Sequence, residues 1–336
     1  MEWRRSCTSV PLPQGTVHQK YFPLMDIYHG VNNSPKTYQF EIHCKRVLIP
    51  FNLIWSTRTG YKESWVEYVK KLYEHGVEVI LDSGAAAFHI NAAKKRAAGK
   101  QVGYPEGYLK AYLNFIKVVE PYITFAFALD TCYESEEFQN IPDFIANLIR
   151  QEKTIIEAKD RGIKIPIYPV VQGWNRTSYR YSARFTQALM NKYDLNRFGI
   201  GSVCRAKAYP TDKGKGPSVY EVMFWLQDVI DLTFAHAFGQ TQRTIVILLD
   251  FSIKSLDTSN ATANAARFSY CDPAGNWFYS QVSNQGSRKH NFENGFSLDV
   301  ELRNFMFYLN VESLELSCYN EIPNLWVHPV ENYVLI

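Results

Sequence analysis

The sequence predicts an α/β fold: a (β/α)8 TIM-like barrel with a C-terminal helical extension. Two observations carry that expectation. Short apolar runs rich in β-branched and aromatic residues alternate with longer stretches of helical spacing, the pattern of a parallel sheet covered by helices. Most of those runs finish in or beside a polar or small residue, Asp82, Asp130, Gln172, Ser202 and His236, each from a different strand. Side chains gathered from the C-terminal ends of many strands belong to a barrel mouth, whereas a doubly wound sheet collects its ligand at one switch point.

The elements follow in chain order. Residues 47–54, 77–81, 123–129, 165–171, 198–203 and 232–238 are the expected buried strands. Between them, helical spacing recurs at Trp65, Val66, Tyr68, Val69, Leu72 and Tyr73, then at Tyr108, Tyr112, Phe115, Ile116 and Val119. It returns at Ile145, Leu148, Ile149, Ile155 and Ile156, and again at Val219, Val222, Phe224, Trp225 and Val229. The run 245–249 fits either a strand or a buried piece of helix. Six clear runs leave at least one strand hidden, or placed near the N-terminus. A further helical pattern at Leu302, Phe305, Met306, Tyr308 and Leu309 is expected to cap the barrel. No repeat and no low-complexity linker divides the chain, so one domain is expected over 1–336, with a core of about 45–270 and an extension over 271–336.

Composition narrows the class. With 336 residues and 46% hydrophobic content the chain can bury a large core, which excludes a disordered protein. The balance of 36 Lys and Arg against 33 Asp and Glu, net +3, does not describe a protein that coats a polyanion, but it leaves a nucleic-acid partner open. The aromatic load of 22 Tyr, 21 Phe and 7 Trp suits a packed core, a stacking surface for rings, or both. Six cysteines without a C-x-x-C pair read as reduced thiols. No apolar stretch approaches the roughly 18 to 20 residues of a membrane helix, and Met1-Glu-Trp-Arg-Arg leads into Pro-rich sequence rather than a signal segment. The expectation is a cytoplasmic protein, in which the sequons at Asn175 and Asn260 are chance matches.

Several residues could carry chemistry. Asp82 stands in Leu-Asp-Ser-Gly directly after a strand, and Asp130 ends the run Phe-Ala-Phe-Ala-Leu; capping of the next element is the rival explanation for both. An Asp at the end of so apolar a strand needs a raised pKa or a strong hydrogen-bond partner. Gln172-Gly173 and the Gly-rich end Gly199-Ile-Gly201-Ser202 offer a side-chain amide and free backbone N–H groups. Beside a carboxylate, these are the groups the edge of a purine requires. Two carboxylates at one mouth can act as nucleophile and general acid/base on a glycosidic bond. Asp257 and Asp250 compete for the second place: if 245–249 is a strand, Asp250 occupies its end.

Taken in order, Asp82-Ser-Gly with Phe88, Leu-Asp130-Thr-Cys, Val-Gln172-Gly, Ile-Gly201-Ser202-Val, His236-Ala-Phe238-Gly and Ser-Leu-Asp257-Thr with Asn264-Ala-Ala-Arg267 resemble the guanine transglycosylases. That family exchanges guanine in a nucleic acid for a 7-deazaguanine base, such as 7-cyano-7-deazaguanine. The resemblance spans about 47–267. It implies that Asp257 is the nucleophile that attacks C1′ of the target nucleotide, in preference to Asp250, and that Asp82 is the general acid/base. It further implies that Asp130, Gln172, Gly201 and Ser202 read the base edge, that Phe88 stacks on the base, and that His236 and Phe238 belong to the same substrate pocket. Trp174 is a further ring beside a strand end, where it is expected to line the purine pocket with Phe88 and Phe238.

The chain departs from the family in two places. The turn Gly84-Ala-Ala-Ala-Phe88 is longer than usual, and the C-x-C-x-x-C with a later His that marks tRNA-acting members is missing. Cys271, His290, Cys318 and His328 are too dispersed to read as a zinc site by spacing, and a zinc there requires the tail to fold back. No other cofactor is implied. The missing cysteine motif in a compact chain points towards the deazapurine DNA-modification enzymes of phages and bacterial modification islands, hence towards DNA and a 7-deazaguanine base as partners. The alternatives are the same chemistry on tRNA, a non-catalytic nucleic-acid-binding homologue, and an unrelated barrel hydrolase with Asp82 and His236 around a metal. Basic groups for phosphates stand at Lys94-Lys95-Arg96 with Lys100, at Arg205, Lys207, Lys213 and Lys215, and at Arg288-Lys289.

Overall fold

Nine short parallel strands make up the main sheet of this computed structural model, which describes residues 25–31, 44–100, 102–204, 206–210, 216–241 and 244–258, and the backbone of 269–271 and 277–279. In chain order the strands are β1 (Asp26–Gly30), β2 (Arg46–Pro50), β3 (Trp55–Ser56), β4 (Gly60–Tyr61), β5 (Glu78–Asp82), β6 (Phe125–Phe127), β7 (Ile167–Tyr168) and β8 (Val170–Val171). They continue with β9 (Phe198–Ile200), β10 (Ala235–Ala237), β11 (Ser255–Thr258), β12 (Ser269–Cys271) and β13 (Trp277–Tyr279). The main sheet runs β7-β6-β5-β2-β1-β11-β10-β9-β8, while β3 with β4 and β12 with β13 form small antiparallel pairs.

The two outer strands of the sheet are one stretch of chain interrupted at Pro169, which has no N–H to give to a ladder. On one edge of this stretch, Ala126 N and Ala128 N donate to Pro166 O and Tyr168 O. On the other, Gly199 N and Gly201 N donate to Pro169 O and Val171 O. Pairing on both edges curls the sheet into a nearly closed, barrel-like array.

A curled parallel sheet hides both faces of its strands, which is why the strands read as continuous apolar runs. Alternation still sorts the side chains. Leu48 and Ile80 join Tyr28, Phe125, Phe127, Tyr168, Val170 and Phe238 in one buried cluster inside the array. Val47, Ile49, Val79 and Leu81 belong to the larger cluster under the helices. Many of the aromatic residues are therefore core.

The helices cover the outside. α1 (Phe51–Ile54) follows β2 directly, so the expected strand 47–54 stops at Pro50, where the fixed proline φ suits a helix start. α2 (Ser64–Glu74) buries Trp65, Tyr68, Val69 and Leu72, as its spacing predicts. Two short helices, α3 (Ala85–His89) and α4 (Ala92–Ala97), come next, and α5 (Tyr108–Val119) buries Tyr108, Tyr112, Phe115, Ile116 and Val119.

α6 (Ile141–Asp160) differs from its expected facing. Ile145, Ile149 and Ile156 are exposed, while Asn147, Gln151 and Thr154 are buried. The polar groups win the inner face because loop and strand backbone needs partners there. Asn147 Oδ1 accepts from Thr131 N at 2.8 Å, and Gln151 bonds both N and O of Val170.

α7 (Arg176–Tyr193) starts on a capping box, in which Asn175 Oδ1 accepts from Ser178 N at 2.9 Å and Ser178 Oγ from Asn175 N at 3.1 Å. The Asn175 sequon is thus a helix cap. Asn175→Ala is expected to lower stability by about 1 kcal/mol, read as a fall in Tm by thermal denaturation. α8 (Val219–Leu226) has a second capping box at Ser218 and Glu221, and leaves Phe224 half exposed.

Other expectations are corrected. The run 245–249 is helical, α9 (Ile245–Asp250), and 232–238 opens with a 3-10 turn at Leu232–Phe234 before β10. The missing strands are β1 and β11, so the sheet core begins at Asp26 rather than near 45. The helical pattern at 302–309 lies outside the described residues. No helix among the described residues is long and apolar enough to cross a membrane.

Candidate active site

Parallel pairing brings strand ends to one rim. Asp82 closes β5, Asp130 follows β6, Gln172 follows β8, Gly201 and Ser202 follow β9, and Asp257 sits in β11. Together with Phe238, Gly239, Gly30, Cys132 and Cys204 they line one cavity of about 190 Å³. Seven sequence-predicted residues meet there: Asp82, Asp130, Gln172, Gly201, Ser202, Phe238 and Asp257. A larger cavity of about 590 Å³ lies at the N-terminal ends of β10 and β11, lined by Asp228, Asp231 and Asp250 among others. It contains none of the seven, and it places Asp250 away from the strand-end cavity.

Three sequence expectations are corrected. Phe88 lies outside the cavity lining and packs on Tyr104 and Tyr108, with ring centroids 5.3 and 5.1 Å away. α3 turns about 100° per residue, so with Ala85 and Ala86 at the cavity, Phe88 is carried about 200° beyond Ala86. Trp174 packs instead on Tyr133 and Phe144. His236 is fully buried in the middle of β10, behind Asp257 rather than against the cavity.

Asp130 is the centre of a buried polar chain. Ser83 Oγ donates to its Oδ1 at 2.6 Å, Gln172 Nε2 donates to its Oδ2, and Ser202 Oγ donates to Gln172 Oε1. Ser202 Oγ also accepts from Tyr133 N at 2.7 Å, and Ser202 takes up left-handed backbone (φ 57°). Burial pushes Asp130 above the usual carboxylate range, while the Ser83 and Gln172 hydrogen bonds pull it back. Each carboxylate oxygen keeps acceptor capacity for a ligand donor.

Asp82 is raised more strongly, to about 8. Burial contributes most, the neighbouring Asp130 next and Asp257 further, against the Gly84 N–H that donates to Asp82 Oδ2 at 2.9 Å. Gly84 itself is required. Its φ is +76°, and a Cβ there would stand 2.6 Å from Asn52 Oδ1. Asp257 is held from two sides: Gly239 N donates to its Oδ1 at 2.9 Å, and His236 Nε2 lies 3.4 Å from the same oxygen. The rim therefore offers a carboxyl that holds a proton near neutrality beside a second carboxyl group held by the Gly239 N–H with His236 at its back, the pairing that acid/base and nucleophilic roles demand.

Sequence reasoning did not single out Ser83, Tyr104, Gly239 or Gly30. Ser83 lies inside the Asp82-Ser-Gly motif, and Gly239 inside His236-Ala-Phe238-Gly, so the motifs carried them unassigned. Tyr104 OH, 2.9 Å from Asp130 O and 3.1 Å from Ser83 Oγ, comes from a loop far along the chain and leaves no local signal.

Of the basic groups, Lys94, Lys95 and Arg96 sit on α4, one short helix beyond the cavity wall. Lys95 donates to Ala87 O, and Arg96 pairs with Glu137. Arg205, Lys213, Lys215, Arg288 and Lys289 lie outside the described residues. So do His290, Cys318 and His328, and only the backbone of Cys271 is described, in β12. Among the described residues no group of three His, Cys, Asp or Glu side chains is disposed to hold a metal ion. No family model matches the chain, and no curated protein matches it.

Proposed function

We propose that the chain is a (β/α)8-barrel guanine transglycosylase that exchanges guanine in DNA for a 7-deazaguanine base. Counting β7 and β8 as two halves of one strand gives eight strands, each contributing to a common mouth, which supports the barrel reading. The observation that carries the function is the shared cavity in which Asp82, with its raised pKa, and the doubly held Asp257 face an Asp130–Gln172–Ser202 chain suited to a purine edge.

In this reading a guanosine is turned out of the strand at a cost of a few kcal/mol, offset by contacts in the pocket. Asp257 attacks C1′ as the bond to the guanine nitrogen breaks, and Asp82 gives its proton to the departing base. The incoming 7-deazaguanine then returns a proton to Asp82 as its nitrogen displaces Asp257 from C1′. Phe238 supplies an aromatic wall, and Asp130 with Gln172 reads the base edge.

A denaturation-resistant protein–DNA adduct tests the reading. It is expected with the unmodified protein and with Asp250→Ala, and is expected to vanish with Asp257→Ala. Loss in Asp250→Ala with retention in Asp257→Ala would overturn the assignment. Exchange of labelled guanine into DNA and tRNA in parallel separates the two substrates. DNA is favoured because the cysteine motif of the tRNA-acting members is missing from the sequence.

A further inference from the structure

His236 is a buried histidine that the proposed reaction does not use. It is surrounded by rings, Tyr28 at 5.5 Å, Phe127 at 5.3 Å and Phe238 at 5.0 Å, and it is wholly removed from solvent. Its two nitrogens face different groups. Nδ1 lies 2.7 Å from Ser255 Oγ, whereas Nε2 has no conventional hydrogen-bond partner and points at Asp257 Oδ1, 3.4 Å away. The strand register sets this up. His236 stands opposite Ser255, and Asp257 is two residues further along β11, on the same face as Ser255.

Only one proton arrangement satisfies all three groups with a neutral ring. A lone pair on Nε2 facing a carboxylate oxygen would be repulsive, so Nε2 carries the proton and Nδ1 accepts from the Ser255 hydroxyl. Burial keeps the imidazole from charging. Asp257 opposes that effect most, Arg197 adds to it, and Asp26 opposes it less.

The two oxygens of Asp257 are then unequal. Oδ1 receives the Gly239 N–H and faces the His236 N–H. Oδ2 is turned towards Gly30, where a Cβ would stand only 3.8 Å from it.

We propose that His236, locked as its Nε2–H tautomer by Ser255, is a positioning residue that holds Asp257 Oδ1 and so selects Oδ2 as the oxygen that forms the bond to the substrate, with the absent side chain of Gly30 leaving room for that approach. This rests on the transglycosylase reading above. In the step itself, the Oδ2–C1′ bond forms as the C1′–nitrogen bond breaks. The Oδ1 contacts take up the charge that shifts onto Oδ1 when the adduct breaks down.

The closing experiment has one arm that needs no activity. The 15N shifts of the His236 imidazole in the full chain at neutral pH are expected to report the Nε2–H tautomer, and to move towards a mixture in Ser255→Ala. The Nδ1–H tautomer or an imidazolium in the unmodified protein would overturn the proposal. The second arm measures adduct formation with a DNA duplex. His236→Ala is expected to slow the rate about 10- to 100-fold with unchanged DNA affinity, as the misplacement of a nucleophile freed from its orienting contact does. His236→Gln, whose amide can still donate, is expected to recover part of it. A full-rate adduct in His236→Ala would also overturn the proposal. No adduct with the unmodified protein would instead sink the transglycosylase reading and leave the tautomer result standing.

Discussion

Asp82→Asn is expected to lower base exchange by about 10²- to 10⁴-fold, the range that a positioned general acid/base supplies. The amide keeps the shape and the Gly84 contact but has no proton to give a leaving guanine. The pH dependence separates this from a packing effect. With Asp82 raised to about 8, adduct formation in the unmodified protein is expected to fall along a basic limb above that pH, where the acid form is lost, and the limb is expected to disappear in Asp82→Asn.

Stability should move in the opposite direction to activity. A carboxyl whose pKa in the folded state lies above its unfolded value binds more protons when folded, so its contribution falls as pH rises between the two values. Asp82→Asn should therefore match the unmodified protein in Tm near pH 4 and exceed it by a growing margin up to about pH 8. An equal Tm across that range would show that Asp82 does not carry the buried proton.

The second large effect is expected at Gly201. A Cβ there would stand 2.2 Å from Gln172 Nε2 and 2.6 Å from its Cδ, in a place where Gln172 is 2% exposed and bonded to both Asp130 and Ser202. The amide cannot swing away without abandoning both partners. Gly201→Ala is therefore expected to cost about 1 to 3 kcal/mol of stability through overpacking, and to weaken guanine binding by about 10- to 100-fold through the displaced amide. Denaturant unfolding and the KM for guanine check the two parts. In a Gln172→Ala background, adding Gly201→Ala should bring little further loss. Additive losses would place the effect elsewhere.

Much of the architecture was legible because a parallel sheet buried on both faces leaves continuous apolar runs, and 77–81, 123–129 and 198–203 mark β5, β6 and β9 to within a few residues. Helix periodicity located α2 and α5 for a similar reason: their inner faces are uniformly apolar. α6 misled the pattern because Asn147 and Gln151 face inward to satisfy backbone groups of other segments, while the buried Thr154 hydroxyl donates to Arg150 O of its own helix, and a hydrophobic period does not register those needs. The run 245–249 fits either element, since a five-residue apolar segment looks the same as a strand or as a helix. The pairing of β1 with β11 settled it by filling the strand's place.

The site divides along the same line. Local sequence determined which polar residues end the strands, because a short motif after an apolar run reveals both the strand end and the functional group it presents. Thus Asp82, Asp130, Gln172, Gly201 and Ser202 stand out at their strand ends, whereas Phe238 and the choice of Asp257 over Asp250 come only from the family resemblance, since the strand that carries Asp257 has no clear apolar run. Which of the neighbouring residues face the cavity, however, depended on helix rotation and strand register. Those turned Phe88 and Trp174 into core packing, and set His236 behind Asp257 rather than beside a ligand. The raised pKa of Asp82 also belongs to the tertiary structure. It arises from burial and from carboxylates 48 and 175 positions away in the chain, and that proximity exists only once the sheet has curled and brought their strand ends to one rim.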